Sequence, residues 1–225
     1  MILNVAISSM LSVGVVPVEC GPSPARKWDQ AIETVKRDQR SRGKPQSASE
    51  VIIRLRELDM MGRGSLFDIW PSELPRSEVP VCQLSAGLYK RLRKLDRRNS
   101  RALRKMMPAS GWFDDVRFGP DAARAAWFIV QHSPDKEFQA LALARMTPKG
   151  GETAKWRSDY ALLYDRVRMG RGEPQRFGSQ GQCRDGKVRI YSLEDPNHVD
   201  ERRAKFGLST LKEYETLLGV GGPCG

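Results

Sequence analysis

The sequence predicts an α+β domain that is predominantly α-helical, a bundle-like set of helices carrying one small antiparallel β-hairpin near the C-terminus. Three observations lead there. Apolar residues recur at three- and four-residue steps through most of the chain, most clearly along Leu84, Leu88, Leu92, Leu95, Asn99, Leu103 and Met106. Extended patterning is confined to residues 175–195, where two short runs flank Asp185-Gly186, a dipeptide suited to a two-residue hairpin turn. The chain has 225 residues, 40% of them hydrophobic, enough for one core rather than two. The absence of any fixed-period self-similarity excludes solenoid and collagen-like folds. Beyond residue 20 no run of eighteen apolar residues occurs, which excludes an integral membrane protein with several spans.

The N-terminal segment 2–18 is apolar and small-residue-rich, with no charge before Glu19. Its length suits the core of a signal peptide, and Ser23 and Ala25 supply small residues before Arg26. No Lys or Arg precedes it, so the usual positive start is missing. The expected organisation is a signal peptide at 1–25, one helix-rich domain at 26–218 and a flexible tail at 219–225. Cleavage implies a periplasmic or extracellular protein with no transmembrane span in the mature chain. A buried first helix or strand implies a cytoplasmic one.

Within the domain, Trp28, Ile32 and Val35 place the first helix at about 25–42, ending before Gly43-Lys44-Pro45. A second is expected at 47–61, with Ser49 as its N-cap and Gly62 just past its end. Gly64, Pro71, Pro75 and Pro80 then mark an irregular connection, pinned by Phe67 and Trp70. The long stripe from Leu84 predicts an amphipathic helix ending before Pro108. Further helices are expected at 121–132, 135–146 and 153–169, and a last one at 208–218.

The chain carries 38 Lys and Arg against 27 Asp and Glu, a formal charge of +11. Residues 90–105 hold nine basic side chains against Asp96 alone, a net of +8, and the remainder is nearly balanced. Such a face can bind phosphates, anionic lipid or an acidic partner. With no interleaved aromatics, recognition-helix turn or RNA-binding motif beside it, the simpler reading is a solvated face whose long stems cover apolar surface. Cys20, Cys82, Cys183 and Cys224 lack metal-ligand spacing, and no phosphate loop, dinucleotide fingerprint or nucleophile elbow is present, so neither a metal nor a cofactor is expected. In an exported chain, Cys183 and Cys224 are the first pair to test for a disulfide; in the cytosol all four stay reduced.

Polar motifs set against apolar segments are the most specific feature. Gln131-His132 closes the apolar run Ala-Ala-Trp-Phe-Ile-Val, and a His there can act as general acid or base. Asp165 and Arg166, adjacent in a helix, point about 100° apart, so at least one turns inward and needs a partner. Gln175-Arg176-Phe177-Gly178-Ser179-Gln180 offers neutral donors and acceptors in one turn, suited to orienting a substrate. Asp38-Gln39, followed by Arg40 and Arg42, closes the first helix.

Taken together and in this order, these motifs resemble a bacterial family known as domain of unknown function 6624. The matching positions are Asp38-Gln39 with Arg42, Asp96-x-x-Asn99 before Gly111-Trp112, Gln131-His132, Asp165-Arg166, the Gln175–Gln180 turn, and Asp195 with Val199-Asp200-Glu201-Arg202-Arg203 and Gly207-Leu208. Phe177 stands where the family usually has Tyr, and Ser179 where it has Thr. The resemblance implies no reaction, but it implies one pocket gathering Asn99, His132, Asp165, Arg166, Gln175 and Gln180. The leading expectation is a hydrolase or group-transfer enzyme. In it His132 is the acid/base, Asp165 orients or charges it, and Arg166 binds an anionic group. Asn99, Gln131, Gln175, Ser179 and Gln180 hold a polar or anionic substrate. The alternative is a non-catalytic binding domain, with a small molecule or protein partner, whose polar residues form a buried structural network. Nucleic-acid or anionic-surface binding through 90–105 is the third reading.

Overall fold

The computed structural model describes residues 24–69, 81–109, 111–146 and 153–222. Helix α1 (Pro24–Ser41) turns Trp28 and Ile32 inward. Helix α2 (Ala48–Ile69) is capped by Ser47 rather than Ser49: the Ser47 hydroxyl accepts the Glu50 N–H at 3.1 Å. It also runs on past Gly62, where the sequence suggested a stop. This glycine serves close packing, since a Cβ there would lie 2.9 Å from Leu95 Cδ2, and its carbonyl accepts the Trp28 indole N–H at 2.9 Å. Residues 63–69, expected to open an irregular connection, are therefore helical, and the rest of that expected connection lies outside the described residues. Trp70 and the Phe67 side chain, expected to pin it, lie outside the described residues.

Helix α3 (Val81–Lys105) follows the predicted stripe, with Leu88, Leu92, Leu95, Asn99 and Leu103 all buried. A short helix, α4 (Asp115–Phe118), was not expected; the Asp114 carboxylate caps it by accepting the Arg117 N–H. Helix α5 (Pro120–Gln131) is the centre of the molecule. Its Ala122, Ala123, Ala125 and Ala126 are small enough to let α2, α3, α4 and two later helices, α6 (Lys136–Arg145) and α7 (Ala154–Gly170), pack around it. The main core joins α5 to Ile52, Leu103, Phe113, Phe138, Leu163 and Val167, while a second cluster fastens α1 to α2 and α3 through Trp28, Ile32, Leu58, Leu88 and Leu95.

The hairpin is where the sequence placed it. Strands β1 (Gly181–Arg184) and β2 (Lys187–Ile190) are antiparallel, with Arg184 opposite Lys187. Asp185 and Gly186 adopt φ of 52° and 69°, the left-handed pair that a type I′ turn requires. Helix α8 (Val199–Lys205) was not expected. Helix α9 (Leu211–Leu218) starts three residues later than the periodicity suggested, because Thr210 and Glu213 form a reciprocal capping box. Beyond it the Gly221 N–H donates to Val188 O, and the Val188 N–H to Gly222 O, both at 2.9 Å, so the start of the expected tail is bonded to β2. No helix among the described residues is long and apolar enough to cross a membrane.

Candidate functional site

Packing of α2 against α5 brings Asp59 to His132, the residue that ends α5. His132 Nδ1 lies 2.9 and 3.1 Å from the two Asp59 oxygens. Asp59 is buried at 1% exposure, and one helical turn to either side Arg56 and Arg63 also donate to it. Burial by itself would raise the Asp59 pKa. The His132 hydrogen bond and charge, with Arg63 and Arg56, outweigh it and hold the carboxyl below its ordinary 3.8. Arg63 bridges onward to Asp96 of α3 at 3.1 and 3.2 Å. There burial prevails over Arg63, and the Asp96 pKa is raised.

In a neutral imidazole this carboxylate keeps the proton on Nδ1 and leaves Nε2 as the acceptor. The ring is one quarter exposed, and among the described residues Nε2 has no hydrogen-bond partner. Phe128, one turn earlier on α5, lies 6.1 Å from the imidazole between ring centres. The guanidinium of Arg56 stacks on Phe128 at 3.7 Å and that of Arg124 at 4.2 Å; Arg124 also pairs with Asp159 of α7. Arg166 of α7 differs from these. Its Nε–H donates to Gln131 Oε1 at 2.6 Å, and no carboxylate pairs with it among the described residues. Burial lowers its pKa, and the nearby charge of Arg63 adds to that fall.

The remaining predicted residues form a different cluster. Asp165 is fully buried and accepts the backbone N–H groups of Arg176, Phe177 and Ser179 at 2.8, 3.1 and 2.9 Å. It therefore fastens the 175–180 turn to α7 and does not charge His132, a role the structure gives to Asp59. Burial raises the Asp165 pKa against the pull of those three amides. Gln175 donates to the carbonyls of Gln180 and Tyr191 at 3.0 and 3.1 Å and accepts the Gln180 N–H at 2.6 Å. Gln180 donates to Ser179 Oγ at 3.0 Å and to Leu162 O at 3.3 Å. Arg203, 1% exposed, donates to Phe177 O and Ser209 O, both at 2.6 Å. Asn99 sits on the α2–α3 seam, its amide N–H donating to Leu55 O at 3.1 Å and its Oδ1 buried without a partner.

The structure thus pairs Gln131 with Arg166 and His132 with Asp59, and sets Asp165, Gln175, Ser179 and Gln180 apart as loop anchors. Sequence reasoning missed Arg56, Asp59, Arg63, Arg124 and Phe128. One signal was available: Arg56, Asp59 and Arg63 stand three and four residues apart, beside the buried Leu58. Asp38-Gln39 and Arg42 prove to be a helix-pairing device, since Gln39 and Arg42 both bond to Glu57 of α2.

Among the described residues no group of three His, Cys, Asp or Glu could hold a metal. Cys183 is disulfide-bonded. On α3, Arg91 pairs with Asp29 and Arg104 with Asp135, whereas the other basic residues of 90–105 pair with no carboxylate among the described residues. Several of them line an open groove of about 1050 Å³ between α1 and α3, apart from the His132 site.

Residues 78–221 match a family described as a family of unknown function (DUF6624). The matched span includes Asp96, Gln131, His132 and Arg166 but begins after the Arg56–Asp59–Arg63 triplet of α2. No curated protein and no solved structure matches the chain.

Proposed function

The chain belongs to the DUF6624 family of unknown function, and from the geometry of its site we propose acid–base catalysis by His132, in a hydrolase or group-transfer enzyme. The observation that carries this reading is the Asp59–His132 pair, 2.9 Å apart, with Nε2 unbonded on the partly exposed edge of the ring. The neutral imidazole keeps its Nδ1 proton on Asp59 and takes a second proton at Nε2 from water or a substrate hydroxyl. The imidazolium so formed is stabilised by the Asp59 carboxylate, whose pKa His132 itself, with Arg63 and Arg56, holds below the ordinary value. It then returns the proton to the leaving group, a role worth roughly 10²- to 10⁴-fold in rate for a well-placed base. Gln131 and Arg166 hold a polar substrate beside it.

The rival reading, a structural network, is favoured at one place only: the Asp165–Gln175–Gln180 cluster, whose polar groups are spent on backbone partners. The Cys183 disulfide supports an oxidising compartment and, with it, export through the apolar N-terminal segment.

The test is nitrogen-resolved NMR of His132 across a pH series. The expected signature of the neutral ring is the Nδ1–H tautomer with Nε2 unprotonated, lost in Asp59→Asn. An Nε2–H tautomer, or a His132 signal indifferent to Asp59→Asn, overturns the reading.

A further inference from the structure

We propose that the seat beside His132 takes a tetrahedral oxyanion, the phosphoryl or sulfuryl group of the substrate, held by Arg166 and Gln131. The proposal rests on the acid–base reading, and it names the chemical class that His132 acts upon.

The first observation is the Gln131 amide, 6% exposed. Its Oε1 accepts the Arg166 Nε–H at 2.6 Å, which fixes the amide's orientation, because the flipped amide would turn an NH₂ toward the guanidinium. Nε2 is then a buried donor with no partner. Buried donors are nearly always satisfied, so this one is aimed at an acceptor that the chain does not supply.

The second observation is Arg166 itself. Arg56 and Arg63 pair with Asp59, and Arg124 pairs with Asp159. Arg166 alone of these four has no carboxylate partner among the described residues, and its terminal nitrogens are unbonded. It also feels the repulsion of Arg63. A half-buried guanidinium with its terminal nitrogens open favours an anion.

The geometry also argues for the shape of that anion. A carboxylate presents two coplanar oxygens, which a guanidinium fork satisfies unaided. Gln131 brings a further donor on a separate side chain, and a tetrahedral group has a further oxygen to meet it. Arg63, which pairs with the Asp59 that serves His132, lies near enough to Arg166 to feel its charge, so an anion held by Arg166 lies in the neighbourhood of the acid–base residue.

The test titrates inorganic phosphate, sulfate and acetate into the full chain, with affinity from calorimetry and the Gln131 side-chain amide followed by NMR. Phosphate and sulfate are expected to bind saturably and shift the Gln131 NH₂ signal, with acetate at least about tenfold weaker. Arg166→Gln is expected to weaken phosphate about tenfold or more, and His132→Gln to change it less than about threefold. Should Arg166→Gln fail to fold, Arg166→Lys and the Gln131 signal of the wild-type chain decide. No saturable phosphate binding, binding indifferent to Arg166, or acetate as tight as phosphate would each overturn the proposal. Phosphate bound normally to a protein whose His132 has the wrong tautomer would instead remove the acid–base reading and leave the seat standing.

Discussion

Asp59 and His132 stand 73 residues apart in the chain, and their side chains meet at 2.9 Å. The contact depends on α5 being buried almost all round, which holds its last residues against α2. The same carboxylate gathers Arg56 and Arg63, so one buried negative charge organises three positively charged or proton-accepting groups.

Asp59→Asn should therefore be more damaging than His132→Ala. Removing the buried carboxylate that the half-buried Arg56 and Arg63 share costs about 3 kcal/mol, whereas the partly exposed ring of His132 leaves a smaller deficit of about 1 kcal/mol. Urea denaturation of the two variants checks the order. The contrast also depends on pH. Because the folded pKa of Asp59 is depressed, its contribution is complete above its ordinary 3.8 and disappears as pH falls through the lower folded value. The gap between wild type and Asp59→Asn should therefore close as pH falls below 3.8; a gap that persists undiminished there would contradict it.

Asp165→Asn should destabilise the C-terminal third of the domain without touching His132. The variant presents an NH₂ where backbone N–H groups converge, at a cost of about 2–4 kcal/mol. Amide exchange at residues 176–180 should accelerate, while the His132 tautomer stays unchanged. A lost tautomer would return Asp165 to the site.

Gly178→Ala should cost about 1–3 kcal/mol. The residue sits at φ 64°, and an added Cβ would lie 2.8 Å from Leu211 Cδ1 and 3.0 Å from Leu193 Cδ2. Thermal denaturation against a control such as Gly43→Ala, whose Cβ would meet nothing within 4 Å at a similar φ of 76°, separates the steric part from the backbone part.

Peptide mapping without reduction should join Cys183 to Cys224. Val188 lies opposite Cys183 in the hairpin and bonds to Gly221 and Gly222, which brings the chain to the hairpin two residues before Cys224. A Cys82–Cys183 peptide would refute the pairing.

The helices were legible because each signal was local. The α3 stripe and the Asp185-Gly186 turn act within a few residues of themselves. Gly62 misled for the same reason. A glycine after an apolar run reads as a stop, and only the approach of Leu95 and Trp28 gives it another use.

The helical class, the hairpin and the concentration of charge on α3 were all readable from the chain alone. It also required that Asp165 and Arg166 face different ways, since adjacent helical residues diverge by about 100°. Only the tertiary structure decided which carboxylate serves the histidine. Asp59 and Asp165 are both buried acids on helices, and nothing within a few residues of either distinguishes the histidine's partner from a loop anchor. That choice was made by the packing of α2 on α5 and of the 175–180 turn on α7, contacts between segments distant in sequence.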